Sequence, residues 1–372
     1  MTSQNPDEAK AVANAAAASQ FYNLHEVVRK ARANLNQNDW DYIVGGTETE
    51  TTLRRNRMAL DSIALRPRVL RDVSKVDPSV EVLGRKLRLP VVLCPVGSLE
   101  SFHPRGAEPV VRAAAEFGVA HMLSSVCEPG LEEVAKAAPD ALRMFQLYVR
   151  GDADWADDHV ERAMKNNYAA FCITVDTAHY SRRERDIAKR HVTAGLARDF
   201  QMALDWRTVE RMKSKYKILF AIKGIGTAED AKIALDHGVE IIYVSNHGGR
   251  QLDHGRGSAE VLPEVVEAVA GRAMIIADGA INRGTDVIKA LALGADLVGL
   301  GRMQCYGLAA AGQAGIVRML EIMEDEVTRA LGLLGLTSFG KLDRSYLQAA
   351  TPANAPHVLS AFPLWEVEPY RY

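Results

Sequence analysis

Several things are scarce in this 372-residue chain, and each scarcity closes off a class of function. Charge of one sign is not in excess: 45 basic residues stand against 47 acidic ones, with no long block of either. The electrostatic footprint of a nucleic-acid or anionic-membrane binder is therefore missing, and a small molecule is the default ligand. Cysteine is sparse. Cys94, Cys127, Cys172 and Cys305 lie far apart in or beside apolar runs, with neither metal-ligand spacing nor the density of a disulfide framework. They read as core thiols in a reducing compartment, and no metal site is expected. No apolar run reaches the ~20 residues of a membrane span. The opening MTSQNPDEAKAVANAAAASQ has no basic start followed by an apolar stretch, so it is not a secretory signal. The expectation is a cytoplasmic protein with a mobile leader over 1–20, a main domain over 21–350 and a C-terminal tail over 351–372.

Apolar residues, at 48%, are plentiful, and from residue 89 their arrangement is rhythmic. A short apolar run, often β-branched, is followed by a polar loop and then by an amphipathic stretch of helical period, the βα alternation of a parallel sheet. Eight such runs occur: LPVVLC (89–94), VAHMLS (119–124), RMFQLYV (143–149), AFCITVD (170–176), ILFAIKG (218–224), IIYVSN (241–246), AMIIADG (273–279) and LVGLGR (297–302). Thr227 before AEDAKIALDH and Thr285 before DVIKALAL are expected to cap helices that stop at Gly238 and Gly294. Eight strands fit a (β/α)8 TIM barrel, although a doubly wound sheet shows the same alternation. The distribution of polar residues decides between them. They fall at the C-terminal end of every run, as a barrel site requires, instead of at one crevice. Residues 21–88 read as an N-terminal helical extension, with DYIVGG (41–46) as a helix end.

The strand ends also suggest a ligand. Ser124, Gln146 and Thr174 offer neutral groups that suit the edge of a flat heteroaromatic ring. Lys223 adds a cation. Asp278-Gly279-Ala280 and Gly301-Arg302 follow runs seven and eight, where barrels bind phosphate through backbone N–H groups, with Arg302 as the bidentate charge. A ring and a phosphate together suggest flavin mononucleotide (FMN), and Lys223 would sit where reduction puts negative charge. On the substrate side, His247 is a candidate base with Asp176 to fix its tautomer. Arg250 and Tyr42 can clamp a carboxylate, and Tyr148 is left for a hydroxyl. His103, His179 and His254 read as turn or surface residues.

Those residues carry a resemblance. From about Asp41 to Leu347, through DYIVGG, FQLYV, TVDT with RRE, IKGIGTAEDA, SNHGGRQLD, ADGAINRGTDV and GLGR, the chain resembles the FMN-dependent 2-hydroxy acid oxidases and dehydrogenases. The group contains glycolate oxidase, lactate oxidase, mandelate dehydrogenase and the flavin domain of flavocytochrome b2. The resemblance implies that His247 is the catalytic histidine with Asp176 as its partner. It implies that Arg250 and Tyr42 bind the carboxylate, that Tyr148 contacts the hydroxyl, that Lys223 serves the flavin and that Arg183 is a second active-site arginine. It further implies that the glycines of SNHGGRQLD let the backbone pass close to flavin and substrate. A homo-oligomer, tetramer or octamer, is the expected assembly, and dioxygen or a quinone the expected electron acceptor. The aromatic C-terminal AFPLWEVEPYRY would dock on a neighbouring subunit.

The departures from that pattern shape the finer expectations. The flavin loop after the first run reads Pro95-Val96-Gly97 where a threonine is usual, which keeps the backbone contact and loses a hydroxyl. After Asp278, Gly279-Ala280-Ile281-Asn282-Arg283 replaces the usual two glycines and two arginines, leaving Arg283 as the phosphate arginine. The segment 184–217 is shorter than the family's lid region. Gly97 leaves room that alanine would fill, and Val126 stands where glycolate oxidase has tryptophan, so both changes are expected to enlarge the pocket for aryl or long-chain (S)-2-hydroxy acids. Two other readings remain: oxidation of a peptide or another α-carbon acid, and a non-enzymatic barrel that holds flavin as a structural element.

Overall fold

Three helices lead into the barrel: α1 (Leu24–Asn34), α2 (Gln37–Val44) and α3 (Thr51–Asp61). Asn23 starts α1 with a capping box, its side chain taking the Glu26 N–H at 3.1 Å while Glu26 takes the Asn23 N–H at 3.3 Å. DYIVGG ends α2 as expected, with Gly45 as its cap. The computed structural model describes residues 15, 16, 18–190 and 199–364. Most of the expected leader, part of the 184–217 segment and the aromatic end at 365–372 therefore lie outside the described residues. After α3 come β1 (Ile63–Leu65) and the hairpin of β2 (Val80–Val82) with β3 (Arg85–Leu87).

All eight apolar runs then form parallel strands. They are β4 (Val91–Leu93), β5 (Ala120–Ser124), β6 (Arg143–Leu147), β7 (Ala170–Thr174), β8 (Leu219–Ile225), β9 (Ile241–Val244), β10 (Met274–Ala277) and β11 (Leu297–Leu300). The sheet closes, with β11 pairing β4, so the (β/α)8 expectation holds and the doubly wound alternative is excluded. The helices between them are α4 (Glu108–Phe117), α5 (Leu131–Ala137), α6 (Ala153–Lys165), α7 (Glu184–Ala188), α8 (Asp199–Met202), α9 (Trp206–Lys215), α10 (Ala228–Asp236), α11 (Ser258–Val269) and α12 (Gly284–Leu293). A long α13 (Arg302–Leu333) follows, broken at Ala311 and Gly312, and β12 (Leu347–Ala349) returns to pair with β1.

Burial explains why the runs are apolar throughout instead of alternating. Outward residues such as Phe171, Ile173, Phe220, Ile222 and Ile242 pack under the helices, while Val92, Met122, Met144, Cys172, Ala221 and Tyr243 fill the barrel interior. Val82 and Leu87 of the hairpin join that interior cluster. All four cysteines are buried and free, as expected. Thr227 caps α10, accepting the Asp230 N–H at 3.1 Å. Thr285 does not cap α12. The helix begins at Gly284, and Asp286 takes the N–H groups of Asn282 and Arg283 at 3.0 Å each, because a carboxylate in the first turn reaches back further than a hydroxyl. Among the described residues, no helix is long and apolar enough to cross a membrane.

Candidate active site

The C-terminal ends of the strands meet in a cavity of ≈ 250 Å³ that gathers Tyr42, Tyr148, Arg183, Lys223, His247 and Arg250 from distant parts of the chain. His247 follows β9 with φ 59, in the left-handed region where a non-glycine residue is strained. Gly248 and Gly249, at φ 64 and 76, continue the turn. A Cβ at Gly249 would lie 2.4 Å from the Leu53 backbone nitrogen, and one at Gly248 would lie 2.7 Å from an Arg302 Nη. The glycines therefore let the turn press onto α3 and Arg302, because those elements seal the same face of the barrel.

His247 Nδ1 lies 2.9 Å from Asp176 Oδ1, and its Nε2 lies 3.3 Å from the Tyr148 hydroxyl. Burial would raise the Asp176 carboxyl, but its interaction with His247 and the charge of Lys223 hold it below its ordinary value. An ionised carboxylate only accepts, so Nδ1 carries the proton and Nε2 presents a lone pair to the cavity. Burial lowers the histidine and Asp176 only partly offsets this, which keeps the imidazole neutral. Such an arrangement is able to accept a proton at Nε2. Burial also keeps the Tyr148 phenol protonated.

Across the cavity, Arg250 Nη1 donates to the carbonyls of Tyr42 and, at 2.9 Å, of Gly45, while its Nη2 is buried without a partner among the described residues. Burial, with the like charge of Arg183 beside it, pushes the guanidinium down to about 9. The Arg250 and Arg183 guanidinium carbons stand 4.6 and 5.8 Å from the centre of the Tyr42 ring. Two cations flank one phenol, which suits an anionic ligand.

The residues expected to hold a flavin fit it at the ring end. Gln146 and Thr174 are fully buried at their strand ends and their side-chain polar atoms have no partner among the described residues, as groups reserved for a polar ring edge would be. They and Ser124 are not among the residues lining the cavity, which is floored instead by Cys94, Lys223 and Asp278. Burial would lower Lys223, yet Asp278 and Asp176 hold it above its ordinary value, so it is a fixed cation. Pro95, Val96, Gly97, Gly279, Ala280 and Gly301 line the cavity as expected, and a Cβ at Gly301 would meet nothing within 4 Å.

At the phosphate end, both arginines make contacts within the protein. Arg283 does not line the cavity. It pairs with Glu326 and reaches the Ala361 carbonyl at 3.2 Å, because α13 runs beside the start of α12 and offers the carboxylate. Arg302 does line it, but its guanidinium is committed to the carbonyls of Ile43, Gly45 and Gly248, at 2.8, 3.0 and 3.1 Å. Those carbonyls end α2 and the histidine turn, where Arg302 satisfies them.

The two substitutions expected to widen the pocket are not independent. A Cβ on Gly97 would lie 2.6 Å from Val126 Cγ2, so valine already occupies the space that glycine vacates. His179 and His254 are exposed and His103 sits in a turn.

Several supporting residues escaped the sequence reading. Asp253, the last residue of SNHGGRQLD, accepts the N–H groups of Thr49 and Thr52 at 2.9 and 2.8 Å and so caps α3 from a distance. Arg57 pairs with Asp286 at 2.8 Å and donates to the Ala280 carbonyl at 3.0 Å, fixing the loop after β10. Gln201, from α8, takes the Val149 N–H at 2.8 Å and donates to the Thr174 carbonyl at 2.7 Å, docking the segment before α9 on the strand ends. A buried polar residue in a polar stretch leaves no periodic signal. The one available clue was Asp253, since it closes the specific run SNHGGRQLD.

The family described as FMN-dependent dehydrogenase matches residues 31–197 and 188–349. Glycolate oxidase 3 of Arabidopsis thaliana is 37% identical over 365 residues, covering 91% of this chain and 98% of that protein. L-lactate oxidase of Nostoc sp. is 37% identical over 355 residues, covering 87% and 97%. Among solved structures, a mandelate oxidase variant with an FMN adduct superposes with a TM-score of 0.82 at 37% identity, covering 88% of this chain and 99% of that one.

Proposed function

The chain belongs to the FMN-dependent dehydrogenase family and oxidises the CH–OH group of 2-hydroxy acids with FMN as cofactor, and from this premise we propose its substrate class and the roles of its residues. The substrates are (S)-2-hydroxy acids with a bulky aryl or long-chain side chain, and the products are 2-keto acids. The observation that carries the reading is the neutral His247 held by Asp176 at 2.9 Å, facing the unpartnered Nη2 of Arg250 across one cavity.

Arg250 and Tyr42 hold the substrate carboxylate, with Arg183 as a second cation. That orientation brings the hydroxyl to Tyr148 and His247. Nε2 takes a proton, either from Cα or from the hydroxyl, and Asp176 stabilises the imidazolium. FMN, when bound, supplies the acceptor for the two electrons released. Ser124, Gln146, Thr174, Lys223 and the Pro95-Val96-Gly97 backbone would hold its ring. Asp278, Gly279, Ala280 and Gly301, with the charge of Arg302, would hold its sugar phosphate. Dioxygen or a quinone would be the final electron acceptor.

The side-chain preference rests on the apolar wall of Val96, Phe102 and Val126 around Gly97. An apolar group entering there gains ~25 cal/mol per Å² buried. Comparing kcat/KM for glycolate, lactate, 2-hydroxyoctanoate and mandelate tests the preference, and a best rate with glycolate would refute it.

A further inference from the structure

Ser245 directly follows β9, is buried, and touches both Lys223 and the start of the His247 turn. Its Oγ lies 3.0 Å from Lys223 Nζ, 3.0 Å from the His247 backbone nitrogen and 2.7 Å from Asp278 Oδ1. An ammonium and a backbone N–H can only donate, and a carboxylate only accepts. A hydroxyl has one proton and two acceptor positions, so Ser245 must accept from Lys223 and His247 and donate to Asp278, and its capacity is then complete.

The distances around it show what this oxygen does. Lys223 Nζ and Asp278 Oδ2 are 3.9 Å apart, well beyond the ~2.7–2.9 Å of a direct charge-assisted bond. The hydroxyl bridges the two and holds that gap open. The same oxygen accepts the N–H of a histidine at φ 59, the strained residue that aims Nε2 into the cavity.

We propose that Ser245 is a positioning residue that keeps the Lys223 ammonium from closing onto the Asp278 carboxylate and, with the same oxygen, holds the His247 turn. One hydroxyl thereby sets both the cation beside the flavin ring and the direction of the base. The proposal rests on the reading above, in which FMN lies against Lys223 and His247 is the base.

Without the hydroxyl, Lys223 closes onto Asp278 and its charge is largely cancelled, so a reduced, negatively charged ring loses stabilisation. Ser245→Ala is therefore expected to make the FMN midpoint potential more negative by about 30 mV, a tenfold change in the two-electron equilibrium. Ser245→Thr, which keeps the oxygen, should restore the parental potential. In protein stripped of FMN, the His247 imidazole followed by NMR should titrate differently in Ser245→Ala and as in the parent in Ser245→Thr. A Ser245→Ala protein with the parental potential and the parental His247 titration would overturn the proposal. If that variant does not fold, the Asp278→Asn background carries the test. There the carboxylate onto which Lys223 would close is gone, so adding Ser245→Ala should leave the potential of Asp278→Asn unchanged, and a further fall refutes the spacer role. A parent whose FMN is not reduced by any 2-hydroxy acid undoes the underlying reading. An active parent with an unmoved potential and an unmoved His247 titration in Ser245→Ala undoes this inference alone.

Discussion

Replacing Arg250 by lysine keeps a positive charge and removes a fork, and the structure states what the fork is for. Nη1 serves the carbonyls of Tyr42 and Gly45, while Nη2 is buried with no partner among the described residues. A lysine has one nitrogen at a different reach. It can satisfy the carbonyls or meet a substrate carboxylate, but it does not reproduce both contacts in the arginine's plane. The loss is one hydrogen bond to a charged group, about 1.5–3 kcal/mol. By the rule that 1.36 kcal/mol is tenfold in rate, kcat/KM for mandelate should fall about 10- to 150-fold. The uncharged analogue 1-phenyl-1,2-ethanediol makes no such bond and should lose far less. The assay is anaerobic flavin reduction by both compounds in the parent and in Arg250→Lys. Equal losses would mean that the arginine props the loop between α2 and α3 and does not bind the carboxylate.

Other outcomes follow from the same geometry. His247→Gln should retain FMN and reduce it at least ~10²-fold more slowly, the usual scale for loss of a general base; a parental rate removes His247 from that role. Because burial holds His247 below its ordinary 6.5, Nε2 stays available past that pH, and activity should be lost only as pH falls through the lowered value. Asp176→Asn removes the group that raises it, so the acid limb of kcat/KM should move lower still; a parental limb at or above 6.5 contradicts the assignment. Gly97→Ala places a methyl 2.6 Å from Val126 Cγ2 and should cost about 1–3 kcal/mol in urea denaturation, with Val126→Ala relieving it in the double variant. Its selectivity should move from mandelate towards glycolate, and no movement would end the bulky-pocket reading. Asp253→Ala, by uncapping α3, should cost about 1–2 kcal/mol; an unchanged urea midpoint would show that the cap is dispensable.

The barrel was legible because both faces of its strands are buried, which turned each strand into a continuous apolar run such as AFCITVD or IIYVSN. The site was legible for a related reason: strand ends are where polar residues interrupt those runs, and His247, Asp176 and Lys223 do so visibly. Side-chain direction was not. Arg283 and Arg302 carry the right charge at the right loop, but Glu326 of α13 claims one and the carbonyls ending α2 claim the other, through contacts far apart in sequence. The Gly97 and Val126 reading was incomplete for a similar reason, since each residue alone implies space and only the structure shows that a Cβ on one would meet the other. Ser245 and Gln201 were invisible because one polar residue beside a strand end looks like any loop residue.

The most direct test of the central claim is a single anaerobic turnover. FMN-loaded protein mixed with excess (S)-mandelate should lose its visible flavin absorption completely and yield one equivalent of the 2-keto acid per FMN, while His247→Gln does so at least ~10²-fold more slowly. If no 2-hydroxy acid bleaches the flavin while a peptide or another α-carbon acid does, or if nothing bleaches it, the account is contradicted.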